Sequence, residues 1–317
     1  MRLGAAIREY IDHKHSLGMT ISGDTARLAA FLRQLGDVEL DSISVGDVQA
    51  YLKGRKTGGP ITRFWFAKYQ ALDRLFRYAT GRRYMEHPAP LPTAKPKKPA
   101  SLIPYLYTVE EVRRLLSIGD VCYCPTSPVE PHTMRTLILL LYGAGLRIGE
   151  ALKLSLADVN LNDGLLTIRE SKFHKSRVVP IGNDLTGVLR AYYERQWAAS
   201  NPAPDSPFLC TRKHKPVKFF QANYVFAWLR TETGILRFDG GRFQPRLHDF
   251  RHSFAVRRLI TWYHEGKDAQ RLLPHLSTYL GHVDLDSTAH YLTMTRELLQ
   301  EANHRFEVYA SGEVRHG

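Results

Sequence analysis

LLLYGAGLRIGEALKL, residues 139–154, sets one arginine into an apolar run just behind two glycines. Glycine costs a helix interior about 1 kcal/mol relative to alanine. Gly143 and Gly145 therefore predict a break between two helical stretches. An arginine among apolar residues needs a partner, because an unpaired buried charge is costly. The residues allow two readings. Either Glu150 neutralises Arg147 locally as an ordinary i,i+3 helix pair, or Arg147 awaits an anion supplied from outside.

Outward from this stretch the pattern is mixed. TVEEVRRLL, residues 108–116, opens a helix with Thr108 and Glu111 as a capping box. LNDGLLTIRESKFHKSRVVPIG, residues 161–182, alternates apolar and polar positions, with turn signals at NDG and around KFHK. That predicts a small antiparallel sheet. Beyond about residue 183 the pattern is helical to the end, with loops near 201–207 and 239–245. The first part of the chain reads as helices. Leu3, Ile7, Tyr10, Ile11 and Leu17 keep helical spacing, as do Leu28, Phe31, Leu32 and Leu35. SVGD, residues 44–47, is a capping box with Asp in place of Glu. GGPITRFWFAKYQALDRLFRYATGRR, residues 58–83, suits one long helix. Between the two parts lies EHPAPLPTAKPKKPASLIP, residues 86–104, whose prolines forbid regular helix and favour extended chain. The predicted architecture is mainly α with a small antiparallel β-sheet (α+β). A helical domain spans 1–85, a Pro/Lys-rich linker 86–104, and a second domain with a C-terminal tail 105–317.

The 317 residues carry a net charge of +13. So large a positive excess makes nucleic acid the first candidate partner. Arg63, Lys68 and Arg74 on the long helix, and Lys95, Lys97 and Lys98 in the linker, could follow a DNA backbone. The helical set could equally be a solvated bundle face. Cys122, Cys124 and Cys210 include no C-x-x-C pair, so neither a disulfide framework nor a zinc ribbon is expected. The charged N-terminus is not a secretory signal, and no run reaches the roughly 18 apolar residues of a membrane span. A cytoplasmic, nucleoid-associated protein is expected.

A set of polar residues sits beside apolar stretches. Lys172 lies at the hairpin tip, LHDFRHSF carries His248 and Arg251, and YLGHVDLDSTAHYLTMT carries His282 and Tyr291. Two arginines can hold a phosphate through forked hydrogen bonds. Two histidines and a lysine can move protons, and a tyrosine hydroxyl can act as a covalent nucleophile. This is the equipment for phosphoryl transfer without a metal. His248 and His252 have a spacing that can bind zinc, but no further ligand completes a known pattern. No metal or cofactor is expected.

In this order the motifs resemble those of the tyrosine recombinases, the lambda-integrase and Xer-like family. GAGLRIGEALKL resembles the family's first arginine motif, LHDFRHSFA its H-x-x-R motif, and YLGH its leucine-glycine-histidine element. STAHY places Tyr291 nine positions after His282, and ESKFHKSRVVP is similar to the β-hairpin lysine segment, with Lys172 preferred to Lys175. The resemblance covers roughly residues 105–300. It implies an N-terminal core-binding domain and a C-terminal catalytic domain that close on double-stranded DNA at a specific site. It further implies a homotetramer on synapsed DNA, with a related partner recombinase as an alternative. Tyr291 would attack a phosphodiester to leave a 3′-phosphotyrosine. Arg147 and Arg251 would stabilise the non-bridging oxygens, Lys172 would protonate the leaving 5′-oxygen, His248 would take the tyrosine proton and His282 would bond the phosphate. Glu150 would support Arg147, and Lys175 would touch DNA. Strands would be exchanged through a Holliday junction without metal or ATP.

Two departures stand out: the segment between Arg251 and His282 is longer than in Xer-like chains, with an insertion within 258–279, and LTMT follows Tyr291. The tail helix around Leu298, Leu299, Ala302 and Phe306 would dock on a neighbouring subunit or pack on its own domain. Two other functions compete. One is type IB topoisomerase-like relaxation by the same chemistry; the other is a catalytically silent DNA-binding regulator.

Overall fold

The computed structural model describes residues 1–19, 21–54, 63–92, 104–121, 127–169, 176–197, 200–238, 243–282, 288 and 291. The chain divides into two compact units, Met1–Ser101 and Leu102–Gly317.

The first unit contains α1 (Leu3–Ser16), α2 (Ser22–Leu35), α3 (Val45–Lys53) and α4 (Arg63–Gly81). The apolar positions at helical spacing close on one core that includes Leu3, Ile7, Tyr10, Leu28, Phe31, Leu72 and Phe76. Ser44 caps α3, accepting from the Asp47 amide at 3.2 Å, while Asp47 accepts from the Ser44 amide at 2.9 Å. Two of the basic residues expected to face DNA are engaged within the unit. Arg74 makes a forked pair with Asp24, at 3.0 and 2.9 Å, and so ties α4 to α2. Lys68 donates to the Tyr51 carbonyl at 2.8 Å and lies over the Tyr51 ring. Burial lowers its pKa below the ordinary lysine value. Arg63 begins α4; Lys95, Lys97 and Lys98 lie outside the described residues.

The second unit runs α5 (Val109–Val121), α6 (Pro131–Gly143), α7 (Ile148–Ala151), β1 (Val159–Asn160), β2 (Leu165–Ile168), β3 (Arg177–Pro180), α8 (Asn183–Trp197), α9 (Phe219–Glu232), α10 (Asp249–His264) and α11 (Ala269–Leu280). Thr108 and Glu111 form the expected capping box of α5. The strands form an antiparallel sheet in the order β1-β2-β3. Leu166 faces Val179, and Ile168 faces Arg177. Gly164 supplies the positive φ of +63° that the β1–β2 turn requires. The helical pattern expected after residue 183 is interrupted more widely than 201–207. Backbone bridges pair Ser155 with Pro207 and Cys210 with Pro216. Pro202, Pro204, Pro207 and Pro216 keep this stretch out of a helix. The stretch 258–279, where an insertion is expected, is largely helix. α10 runs to His264, Gly266 turns at a φ of +72°, and Asp268 caps α11 by accepting from the amides of Gln270 and Arg271.

Among the described residues no helix is long and apolar enough to cross a membrane. Cys210 is buried and free; Cys122 and Cys124 lie outside the described residues.

Candidate active site

The break predicted at the glycines is where the site begins. α6 stops at Gly143, and Gly145 takes a φ of +61°, a conformation that side chains with a Cβ rarely adopt. The turn delivers Arg147 to the start of α7. Its backbone amide donates to Glu150 Oε2 at 2.9 Å and its Nη1 to Glu150 Oε1 at 2.7 Å. Gly145 is also packed tightly: a Cβ there would overlap the Phe254 ring and stand 3.0 Å from Leu280 Cδ2. Gly145→Ala is therefore expected to cost about 3 kcal/mol through the combined backbone strain and overpacking. Thermal unfolding of the purified variant checks this, and a Tm equal to that of the parent would contradict it.

Opposite this turn is the C-terminus of α11. Gly281, in the left-handed conformation at φ +67°, donates to the Thr278 carbonyl, and the His282 amide donates to the Ser277 carbonyl. This pair of bonds ends the helix and leaves the next carbonyls without intrahelical donors. Three consecutive ones each receive a different arginine. Arg177 Nε donates to Tyr279 O at 2.9 Å, Arg251 Nη2 to Leu280 O at 2.6 Å, and Arg147 Nη2 to Gly281 O at 2.7 Å. The negative end of the α11 dipole faces the same way and favours cations there. Arg251 also donates to the Gly145 carbonyl at 2.8 Å, although its side chain is only 2% exposed. Burial, and then the neighbouring Arg147, lower its pKa to about 10, which leaves it charged at neutral pH. Glu150 is nearly as buried. Burial alone would raise its pKa, but bonds from Arg177 and Arg147 outweigh burial and hold it at about 2.

Tyr291 closes the cluster. It is 3% exposed and packs into the apolar group formed by α10 and α11, with Phe254, Leu276 and Leu280 among its members. Its phenol lies within the influence of the Arg251 guanidinium, which favours the ionised form. Burial raises the phenol's pKa above the ordinary value, opposed by Arg251 and then Arg147. Two imidazoles lie against the ring, His252 at 5.5 Å between centroids and His282 at 6.1 Å. His282 Nδ1 is 2.6 Å from the buried Thr288 hydroxyl. His248 meets His252 edge-on at 5.0 Å. It keeps a solvent-exposed side, yet crowding on its inner side and the Arg251 charge lower its pKa below the ordinary histidine value. Among the described residues no third metal-ligating side chain joins the two histidines.

Of the sequence-predicted set, Arg147, Glu150, His248, Arg251, His282 and Tyr291 thus meet in one cluster. Lys172 and Lys175 lie outside the described residues. Two members were not foreseen. Arg177 forks onto Glu150, donating from Nη1 to Oε1 at 3.1 Å and from Nη2 to Oε2 at 2.9 Å. Strand alternation could have found it, because Arg177 stands in phase with the buried Val179 and opposite Ile168. The other is His252, weighed in the sequence only as a zinc ligand; its Nδ1 is buried with no hydrogen-bond partner among the described residues. Burial, and then the His248 charge, lower its pKa to about 3.

His252 gives a stability prediction. A histidine whose folded pKa lies below its unfolded value stabilises fully above about pH 6.5 and loses that contribution as pH falls toward 3. The loss has a limiting slope of about 1.4 kcal/mol per pH unit. His252→Phe removes the titration, so its Tm should fall less than the parent's between pH 7 and 5. Parallel curves would show that His252 does not titrate on unfolding.

Comparisons with known proteins show the family of the chain. The phage integrase family model matches residues 107–297. A putative integrase/recombinase of Sinorhizobium fredii, y4rB, is 35% identical over 307 residues, covering 95% of this chain and 96% of the relative. Tyrosine recombinase XerA of Thermococcus kodakarensis is 30% identical over 300 residues, covering 93% and 92%. A solved lambda integrase (residues 75–356), as a dimer bound to a COC′ core site, matches the fold with a TM-score of 0.68 at 18% identity, covering 93% of this chain and 97% of that one. With a family match spanning more than half its length and near full-length relatives, the chain belongs to the phage integrase family of tyrosine recombinases.

Proposed function

We propose that this protein binds double-stranded DNA at a specific site and cuts and rejoins its strands through Tyr291. The observation that carries the reading is the buried Tyr291 phenol set beside the Arg251 guanidinium inside an arginine-rich, largely buried cluster. A phenol with a raised pKa needs a proton acceptor, and His248 suits that role. Its lowered pKa keeps the imidazole neutral at pH 7, ready to accept. As the phenolic proton passes to His248, the Tyr291 oxygen bonds to phosphorus and the bond to the 5′-oxygen breaks. Lys172 donates a proton to that 5′-oxygen. Arg147 and Arg251 take up charge on the non-bridging oxygens, a preorganised role commonly worth several kcal/mol. His282 adds a hydrogen bond to the same phosphate. The 3′-phosphotyrosine keeps the bond energy, so a second strand's 5′-hydroxyl can reverse the attack through a Holliday junction without metal or ATP. The assembly is a homotetramer on two synapsed sites, with a related partner recombinase as the alternative. Lys175 and the linker lysines Lys95, Lys97 and Lys98 contact the backbone.

The test is a suicide duplex library with a randomised core and a nick that lets the cleaved 5′-end escape. Protein–DNA adducts that survive denaturation are expected, with the modified peptide containing Tyr291 and the attached ends converging on one sequence. Adducts on another residue, or none, would overturn the reading. Relaxation of supercoiled plasmid lacking the recovered sequence would favour a topoisomerase-like activity. Binding without adducts would favour a regulator.

A further inference from the structure

Glu150 accepts hydrogen bonds from two arginines and lies near a third, a grouping that local pairing of Arg147 does not require. Its Oε1 receives Arg147 Nη1 and Arg177 Nη1, and its Oε2 receives the Arg147 amide and Arg177 Nη2. Arg251 Nη1 stands 3.8 Å from Oε2. One carboxylate therefore faces three guanidiniums, and the site keeps a positive excess for an incoming phosphate. The donors are not equally free. Arg177, 12% exposed, has Nε, Nη1 and Nη2 all committed to Tyr279 O and Glu150. Arg147, 25% exposed, is the most open of the three. Arg177 also presses on Gly281, where a Cβ would meet its Nη1 at 2.8 Å.

We propose that Arg177 is a positioning residue for strand cleavage: its guanidinium locks the Glu150 carboxylate against the C-terminal turn of α11, so that Arg147 is aimed and the turn leading to His282 is fixed. It need not touch DNA to do so. A bidentate fork fixes a carboxylate plane, which a lysine cannot do. Because Arg177 begins β3, the same fork also anchors the returning strand of the hairpin that carries Lys172. This inference rests on the recombinase reading, since the aim of Arg147 matters only if it meets a phosphate.

The experiment uses the full chain and the suicide duplex recovered from adducts of the parent protein. Arg177→Met is expected to bind that duplex within about threefold of the parent while its single-turnover cleavage falls about 100-fold, the scale of a misaligned reacting group. Without the fork, burial of Glu150 is less opposed, so the variant's cleavage should decline further as pH falls from 7 to 5 while the parent's changes less. A purely structural role would not move that profile. Arg177→Lys, which keeps the charge and loses the fork, should cleave about tenfold slower than the parent with near-parent Tm, and it carries the test if Arg177→Met does not fold. Cleavage within threefold of the parent in Arg177→Lys, or loss of binding and cleavage in parallel, overturns the inference. If the parent itself forms no adduct, it is the recombinase reading that fails. If the parent cleaves and both variants cleave as well as it does, only the role of Arg177 fails.

Discussion

Tyr291→Phe is expected to yield a folded protein that holds its DNA and forms no covalent adduct with it. The substitution removes one oxygen and leaves the ring. That ring supplies the packing against His252, His282 and the apolar group of α10 and α11. Arg251 loses the neighbouring phenol oxygen but keeps its bonds to the carbonyls of Gly145 and Leu280. The ring packing is retained, so Tm should fall by only a few degrees. The proposed chemistry has no substitute for the nucleophile. Adduct formation should therefore drop by at least about ten-thousandfold, the scale seen when a covalent catalyst loses its attacking group. Denaturing electrophoresis of protein with labelled suicide duplex reads the adduct, and band-shift titration reads binding. An adduct that persists in Tyr291→Phe would assign the attack to another residue.

Glu150→Ala should damage both stability and activity. Removing one partner from a buried charge group commonly costs about 3–5 kcal/mol. Here it leaves Arg147, Arg177 and the nearly inaccessible Arg251 without their shared carboxylate. For a unit of this size the loss corresponds to roughly 10 °C in Tm. The carbonyls of Tyr279, Leu280 and Gly281 still hold the three guanidiniums, so the fold should persist at low temperature. Arg147 loses both the bond that aims its guanidinium and the one that fixes its amide. Cleavage should fall by more than about 100-fold. Uncovered guanidiniums make an anion site, so inorganic sulfate should raise the Tm of Glu150→Ala more than that of the parent, by linkage. An unchanged Tm would mean that the carboxylate does not balance the arginines in solution. Glu150 should also matter to the parent at acid pH. Its folded pKa, near 2, lies below the usual carboxylate value, so its contribution is complete above about pH 4.5 and is lost as pH falls toward 2.

The structure shows the first reading of Arg147 and leaves room for the second. Glu150 does pair with it locally, and the same pairing fixes a guanidinium that keeps the most open surface of the three. Spacing alone set pairing and waiting as alternatives, because it shows only one partner at a time; the family resemblance already had Glu150 support Arg147. The basic residues of α4 teach the converse. Lys68 and Arg74 looked suited to a DNA backbone from composition, but composition carries no information on Asp24 or the Tyr51 carbonyl, which they meet across the bundle.

The chain's own order determined the helices of the first unit, the capping boxes at Ser44 and Thr108, the break at Gly143 and Gly145, and the alternating hairpin. Each follows from interactions within a few residues: side-chain periodicity, capping distance, or the φ that glycine alone adopts freely. Tertiary structure decided the rest. It took carbonyls from one helix end and set them before arginines 29, 102 and 134 positions away, and it placed an unpredicted arginine on β3 against Glu150. Those contacts depend on how α7, β3, α10 and α11 pack around a shared core, and no pattern local to any one of them encodes its neighbours.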